Sequence, residues 1–221
     1  MKQKGFTLIE LLVVTPIRKM RRIFVRGRSP SLSVARGFTL IELLVVIAIL
    51  AVLAVAVVVV LNPAELIKQA RDTTRISDLA ALNSAISLYL SDYASPAIGA
   101  AGFCTSGATT KGTLACTAST STVVTGAGWV TIIFTNISSG SPLARLPMDP
   151  NNGSTNCGAD AAACFYEYMP GGNTLLTYEL DASMESVKYA SGGGSDVESN
   201  TKDGGSNNDA YEIGSDPGLD L

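Results

Sequence analysis

The chain has 221 residues, a net charge of −3, four cysteines and no histidine. Without histidine, a Ser-His-Asp triad, a Cys-His pair and a His-based zinc site are excluded. Residues 1–37 hold nine Lys/Arg and one acid (+8), whereas the remaining 184 residues hold seven Lys/Arg and eighteen acids (−11), so broad nucleic-acid binding by the larger part is disfavoured.

The first feature in chain order is Gly5-Phe6-Thr7-Leu8-Ile9-Glu10, followed by Leu11 to Val14. Its apolar part is about ten residues, half of the ~20 that a membrane helix needs. Thr15-Pro16 and the basic cluster Arg18, Lys19, Arg21 and Arg22 end it. The same ten residues recur as Gly37-Phe38-Thr39-Leu40-Ile41-Glu42-Leu43-Leu44-Val45-Val46, and here the apolar run continues to Leu61. Phe38–Leu61 is 24 residues with one charge, Glu42, and is long enough to span a bilayer. Basic residues before a span stay cytoplasmic, so residues 1–37 read as an inner leader and the acidic remainder as exported. The Gly5 copy reads as a duplicated stretch or a start placed too early, since Met20 can open a shorter basic leader. Its functional reading is a second cleavage site.

Glu42 stands out because an ionised acid at a bilayer centre costs roughly 2.5–3.5 kcal/mol. Such a residue is expected to have a task. After the span, Asn62-Pro63 is expected to loosen or kink the helix. Ala64 to Tyr93 then reads as an amphipathic helix with an apolar stripe of Leu66, Ala70, Leu79, Leu82, Ile86, Tyr89 and Tyr93. Glu65, Lys68, Asp72 and Arg75 occupy another face at ion-pair spacings. As one continuous helix, Phe38–Tyr93 would measure about 84 Å.

Ser95 to Gly128 reads as a long Ala/Gly/Ser/Thr-rich loop, and Trp129 to Asn136 as a strand. Leu143 to Gly153 is turn-rich. Ala163–Met169 and Thr174–Leu180 flank Pro170-Gly171-Gly172-Asn173 and form a hairpin signal. Ser191–Asp209 reads as a mobile segment, and Ala210–Gly214 as a last pairing strand. Cys104, Cys116, Cys157 and Cys164 all fall in the exported part, where disulfides are expected. Proximity favours Cys104–Cys116 and Cys157–Cys164, although three connectivities are possible. Zinc ranks lower, because no close Cys-x-x-Cys pair exists.

The word Gly37-Phe38-Thr39-Leu40-Ile41-Glu42 before an apolar helix resembles the N-terminal signal of type IV prepilins and of type II secretion pseudopilins. The order of elements is similar too. Leu146-Pro147-Met148-Asp149-Pro150 resembles a pseudopilin turn, and Trp129 with Tyr178–Ser186 resembles words of a pilin subgroup. The resemblance implies an α+β, pilin-like fold, in which a long N-terminal helix packs on a small antiparallel sheet. It divides the chain into a leader (1–37), a transmembrane and assembly helix (38–61), its amphipathic continuation (62–93) and an exported sheet domain with a Gly/Asp/Asn-rich tail (94–221). It implies cleavage between Gly37 and Phe38, N-methylation of Phe38 and an assembly role for Glu42. Many relatives carry a proline earlier in the span; here the first is Pro63.

The leading function is therefore a non-enzymatic structural subunit of a type IV pilus or pseudopilus. Its alternative within the class is a major-pseudopilin-like subunit of type II secretion. The implied partners are a homopolymeric or mixed pilin fibre, a prepilin peptidase and methylase, an inner-membrane assembly platform, and membrane lipid before assembly. The implied location is the cytoplasmic membrane, single-pass, and then a periplasmic or extracellular fibre. The alternative from another class is a membrane-anchored exported binding domain that does not polymerise, with any catalysis resting on Asp149 or Glu167. No cofactor is expected beyond calcium, for which Asp203, Asn207 and Asp209 are the candidates. That stretch lacks EF-hand spacing, and a solvated loop is the preferred reading.

Overall fold

The computed structural model describes residues 37–106, 116–157 and 164–221. The basic leader and its Gly5 copy lie outside the described residues, as does Ala163 at the start of the expected hairpin. The chain divides into two units, Met1–Ile49 and Leu50–Leu221, with the boundary inside helix α1 (Leu40–Leu61). The class is α+β.

The described part of the first unit is Gly37, Phe38, Thr39 and the opening turns of α1. With 22 residues, α1 is about 33 Å long, enough to cross the ~30 Å hydrocarbon core of a bilayer. None of its residues is buried.

In the second unit the end of α1 meets α2 (Pro63–Asp92) at Asn62, whose backbone is left-handed at φ 40°. Asparagine tolerates that conformation better than most residues. The Asn62 carbonyl accepts the Glu65 and Leu66 N–H groups at 3.0 and 3.3 Å. Pro63 occupies the first helical turn, where its missing donor is harmless. The proline thus starts a second helix rather than bending one continuous helix.

Helix α2 buries Leu79, Leu82, Ala85, Ile86 and Tyr89. Leu66, Ala70 and Tyr93, expected on the same stripe, are exposed. The N-terminal half of α2 instead buries Asp72 and Arg75, two residues of the face with ion-pair spacings.

The sheet comprises β1 (Gly102–Cys104), β2 (Cys116–Ala118), β3 (Tyr166–Pro170), β4 (Tyr178–Ala182) and β5 (Tyr211–Gly214), in the order β2-β1-β3-β4-β5. Its β1–β2 pair is parallel and the others are antiparallel, so the sheet is mixed rather than wholly antiparallel. Both β1 and β2 lie in the segment read as loop. A disulfide between Cys104 and Cys116 joins the end of one to the start of the other. The second disulfide is Cys157–Cys164. All four cysteines are thus paired with each other.

The hairpin joins β3 to β4 with Pro170 opposite Tyr178. Gly171 donates its N–H to the Thr177 carbonyl at 2.8 Å, and a Cβ there would fall 2.2 Å from Thr177 Oγ1. A side chain at 171 would force the Thr177 side chain to turn away. Alternation along the strands puts Tyr166, Tyr168, Tyr178, Leu180 and Ala182 into the core shared with α2. The tyrosine tips also bind the helix: Tyr166 Oη donates to Asp78 at 2.8 Å, and Tyr178 Oη to Asn83 Oδ1 at 2.6 Å.

Trp129–Asn136 is not a strand. It runs as bends into a short 3-10 helix, Phe134–Asn136, with an isolated bridge between Thr125 and Ile133. Trp129, Val130, Ile132 and Phe134 are all buried in the core. Adjacent Trp129 and Val130 both point inward, which a period-2 strand on one core face does not allow. The apolar composition records burial, not extended pairing. Ser191–Asp209, read as mobile, is a series of turns capped by carboxylates. Asp196 alone accepts N–H groups of Gly192, Glu198 and Ser199, at 2.9, 3.0 and 3.0 Å.

Candidate functional site

Around the expected cut, Phe38 is 86% exposed, and a Cβ built on Gly37 would meet nothing within 4 Å. Among the described residues, packing places no demand for glycine at 37.

Thr39 and Glu42 form a reciprocal capping box at the start of α1. Glu42 Oε2 accepts from Thr39 N–H and Thr39 Oγ1, both at 2.8 Å. Thr39 Oγ1 accepts from Glu42 N–H at 3.2 Å. The Thr-x-x-Glu spacing is the recognisable sign of this motif, and sequence reading that treated Glu42 only as an isolated charge missed it. In the single chain, then, Glu42 already has a local partner.

In the second unit a buried ion network joins α2 to two loops. Arg75 grips Asp149 with two prongs, Nε at 2.7 Å and Nη2 at 2.8 Å. Its Nη1 reaches Asp72 at 2.7 Å, and its Nη2 reaches Glu185 at 2.7 Å. All four side chains are fully buried. Arg71 also pairs with Glu185 from a partly exposed position. Asp72 accepts the N–H groups of Glu185 and Ser186 at 2.9 and 2.8 Å. Nearby, the Trp129 indole donates to the Pro147 carbonyl at 2.9 Å, holding the Leu146–Pro150 turn against the core. Asp149, one of the two carboxylates to which catalysis was assigned in the anchored-domain reading, is thus committed to Arg75.

Burial alone would raise the Glu185 carboxyl. Hydrogen bonds from Arg71, Arg75 and Asn151 outweigh it and hold Glu185 below its usual value of 4.5. A depressed carboxylate stabilises the fold above its unfolded-state value and loses that contribution as pH falls through the folded value. In thermal melts, the stability gap between wild type and Glu185→Gln is therefore expected to narrow between roughly pH 5 and pH 3. A gap that stays constant over that range would contradict this assignment.

The opposite sheet face carries four acids. Glu167 pairs across with Asp181 and Asp181 with Glu212, while Glu179 lies two residues from Asp181 on the same face. Glu167, Glu179 and Asp181 are 0% exposed and Glu212 is 2%. Burial pushes Asp181 well above the carboxylate range, and Glu179, Glu167 and Glu212 add to it. Burial also raises Glu212, to about 8, with Glu179 contributing. Glu167, the other suggested catalytic acid, is part of this covered layer.

The side chains of Asp203 and Asn207, two of the calcium candidates, cap turns. Asp203 Oδ1 and Oδ2 accept the N–H groups of Gly205 and Glu212, at 3.0 and 3.2 Å. Asn207 Oδ1 accepts from Asp209 N–H at 2.9 Å. Among the described residues, Asp203 and Asp209 belong to none of the groups of three acidic or cysteine side chains with close ligand atoms.

The profile of the prokaryotic N-terminal methylation motif matches residues 1–15 and 32–58. Both copies of the signal word are covered, and the longer matched stretch is the one that runs into α1. No curated protein and no solved structure matches the chain. The matched motif, the membrane-length α1 and the α+β domain behind it together identify a protein that carries the signature of type IV pilins and pseudopilins and is pilin-like.

Proposed function

We propose that the chain is a structural subunit of a type IV pilus or a related secretion pseudopilus, cut after Gly37 and polymerised through its N-terminal helix. One observation carries the reading: a 22-residue apolar helix that buries none of its residues, entered through Gly37-Phe38 and bearing a single acid at the fifth position after the cut. Exposed apolar surface of that extent needs lipid or other copies of itself. Before processing, α1 sits in the cytoplasmic membrane, with the basic leader inside and the acidic domain outside. A prepilin peptidase removes residues 1–37 and a methylase modifies the Phe38 amine. An assembly platform then moves α1 from lipid into a bundle of like helices, where its apolar surface stays covered.

The role of Gly37 in this scheme is to let the peptidase approach the backbone closely. Co-expression with a prepilin peptidase is expected to give a shortened product whose first residue is Phe38. Gly37→Val is expected to leave the chain at full length. A product beginning at Phe6, or normal shortening of Gly37→Val, would overturn the assignment. A correctly cut chain that never yields sedimentable fibres would favour the anchored, non-polymerising domain.

A further inference from the structure

Asn152-Gly153 is the one Asn-Gly step in the sequence. This dipeptide is chemically labile, because a residue without Cβ lets its backbone nitrogen close on the preceding side chain. The Gly153 nitrogen gives its proton to water and attacks Asn152 Cγ. A C–N bond forms, the Cγ–Nδ2 bond breaks and ammonia leaves. Water then opens the cyclic imide at either carbonyl, giving an aspartyl or an isoaspartyl link.

In this fold both reacting groups are tied back. Asn152 Nδ2 donates to the Thr105 carbonyl at 3.0 Å, and Asn152 Oδ1 accepts from Thr105 Oγ1 at 2.7 Å. Gly153 N–H donates to the Cys164 carbonyl at 2.8 Å. The nucleophile is thus occupied, and the amide it attacks is held at both ends. Thr105 is fully buried and is itself fixed to β3. Its N–H donates to the Tyr166 carbonyl and its Oγ1 accepts from Tyr166 N–H, each at 2.9 Å. Both anchors lie beside disulfides: Thr105 follows Cys104, which is joined to Cys116, and Cys164 is joined to Cys157. Gly153 is exposed, so water reaches the step once the clamp opens.

We propose that Asn152-Gly153 is a latent deamidation site held closed by Thr105 and Cys164, and that its conversion is one-way because the product cannot rebuild the clamp. A carboxylate in place of the Asn152 amide still accepts from Thr105 Oγ1 but has no N–H to offer the Thr105 carbonyl. A buried acceptor is then left facing a second oxygen. The new charge also enters the turn whose Asp149 and Asn151 side chains bind Arg75 and Glu185. An opening of this turn is therefore recorded permanently in the chain.

The test incubates the full chain in detergent, disulfides intact, at mildly alkaline pH beside a free peptide of residues 149–155. Peptic digestion in acid followed by mass spectrometry reads the gain of one mass unit at Asn152. Wild type is expected to convert roughly a hundredfold more slowly than the peptide, since three hydrogen bonds must open first. Thr105→Val removes the hydroxyl and is expected to speed conversion about tenfold, whereas Thr105→Ser keeps the wild-type rate. Should Thr105→Val fail to fold, wild type in urea approaching its unfolding midpoint gives the same readout, with conversion at Asn152 rising as urea rises. Asn152→Asp, which mimics the product, is expected to melt roughly 2–10 °C below wild type. Wild-type conversion as fast as that of the peptide, an unchanged rate in folded Thr105→Val, a rate that ignores urea, or an Asn152→Asp protein as stable as wild type would each overturn the proposal.

Discussion

Arg75→Ala is expected to destabilise the folded domain by about 3–5 kcal/mol. The guanidinium is fully buried and is the point at which Asp72, Asp149 and Glu185 meet. Removing it leaves three buried carboxylates with only Arg71 nearby, and Arg71 reaches Glu185 alone. The loss measures those stranded charges rather than the net worth of the network, since a buried ion pair replaced as a whole by apolar groups can be neutral. For a domain of this size the melting temperature should fall by roughly 6–20 °C. Arg75→Lys should recover only part of it. A single ammonium cannot make the two-pronged contact with Asp149 while also reaching Asp72 and Glu185. Arg71→Ala, at a partly exposed site, should cost about 1 kcal/mol or less. Thermal melts of the three variants in detergent give the ranking. An Arg75→Ala protein as stable as Arg71→Ala would show that the carboxylates find other partners.

That network also shows how far a sequence reading reaches. The Asp72–Arg75 spacing says that the two can pair, and they do. Spacing does not say which side of a helix faces the core, and four charges in three turns look solvated. Burial was decided by Asp149 and Glu185, which are 74 and 110 residues from Arg75. The acids of the sheet were obscured in a similar way. Tyr-Glu-Tyr at 166–168, Tyr-Glu-Leu-Asp at 178–181 and Tyr-Glu-Ile at 211–213 alternate like strands with one wet face. The second face is buried by distant parts of the chain: Leu221 packs against the cluster of Phe165, Met169, Cys104 and Cys116, and Asn207 and Leu221 donate N–H groups to Glu212 and Glu179.

Elements with strong local chemistry were legible. Pro170-Gly171-Gly172-Asn173 predicts the β3–β4 hairpin, and Tyr211–Gly214 pairs where a final strand is expected. The apolar run gives α1, and Pro63 marks a real break in the helix. Short or irregular elements were not. Three-residue strands cannot display a period of two, so β1 and β2 merge into their Gly/Ser/Thr-rich surroundings. The Trp129 segment has strand composition because it is buried, and composition alone does not separate the two cases.

Replacing Glu42 is expected to reduce fibre yield by at least about a hundredfold, with cleavage after Gly37 unaffected. The capping box makes the choice of substitution decisive. In the single chain Glu42 closes the start of α1 through Thr39, so loss of assembly in Glu42→Ala could reflect either a frayed helix start or a missing charge. Glu42→Gln separates them, because glutamine serves in a capping box as glutamate does but cannot neutralise a cation. Once residues 1–37 are removed, Phe38 carries an amine that remains positively charged when methylated. Moved from lipid headgroups into a dry bundle, that ammonium needs a carboxylate from a neighbouring subunit, and Glu42 is the one acid between Phe38 and Leu61. An unpaired buried charge costs several kcal/mol, and about 3 kcal/mol already corresponds to a hundredfold in an assembly equilibrium. In the proposed assembly this pairing would also set the axial register, since a slipped neighbour would leave both charges unpaired. Glu42→Gln and Glu42→Ala should therefore fail alike in a sedimentation assay of sheared fibres, while both give the same shortened product on a gel. Wild-type fibre yield from Glu42→Gln would reduce Glu42 to a helix cap and remove the intersubunit charge pair from the mechanism.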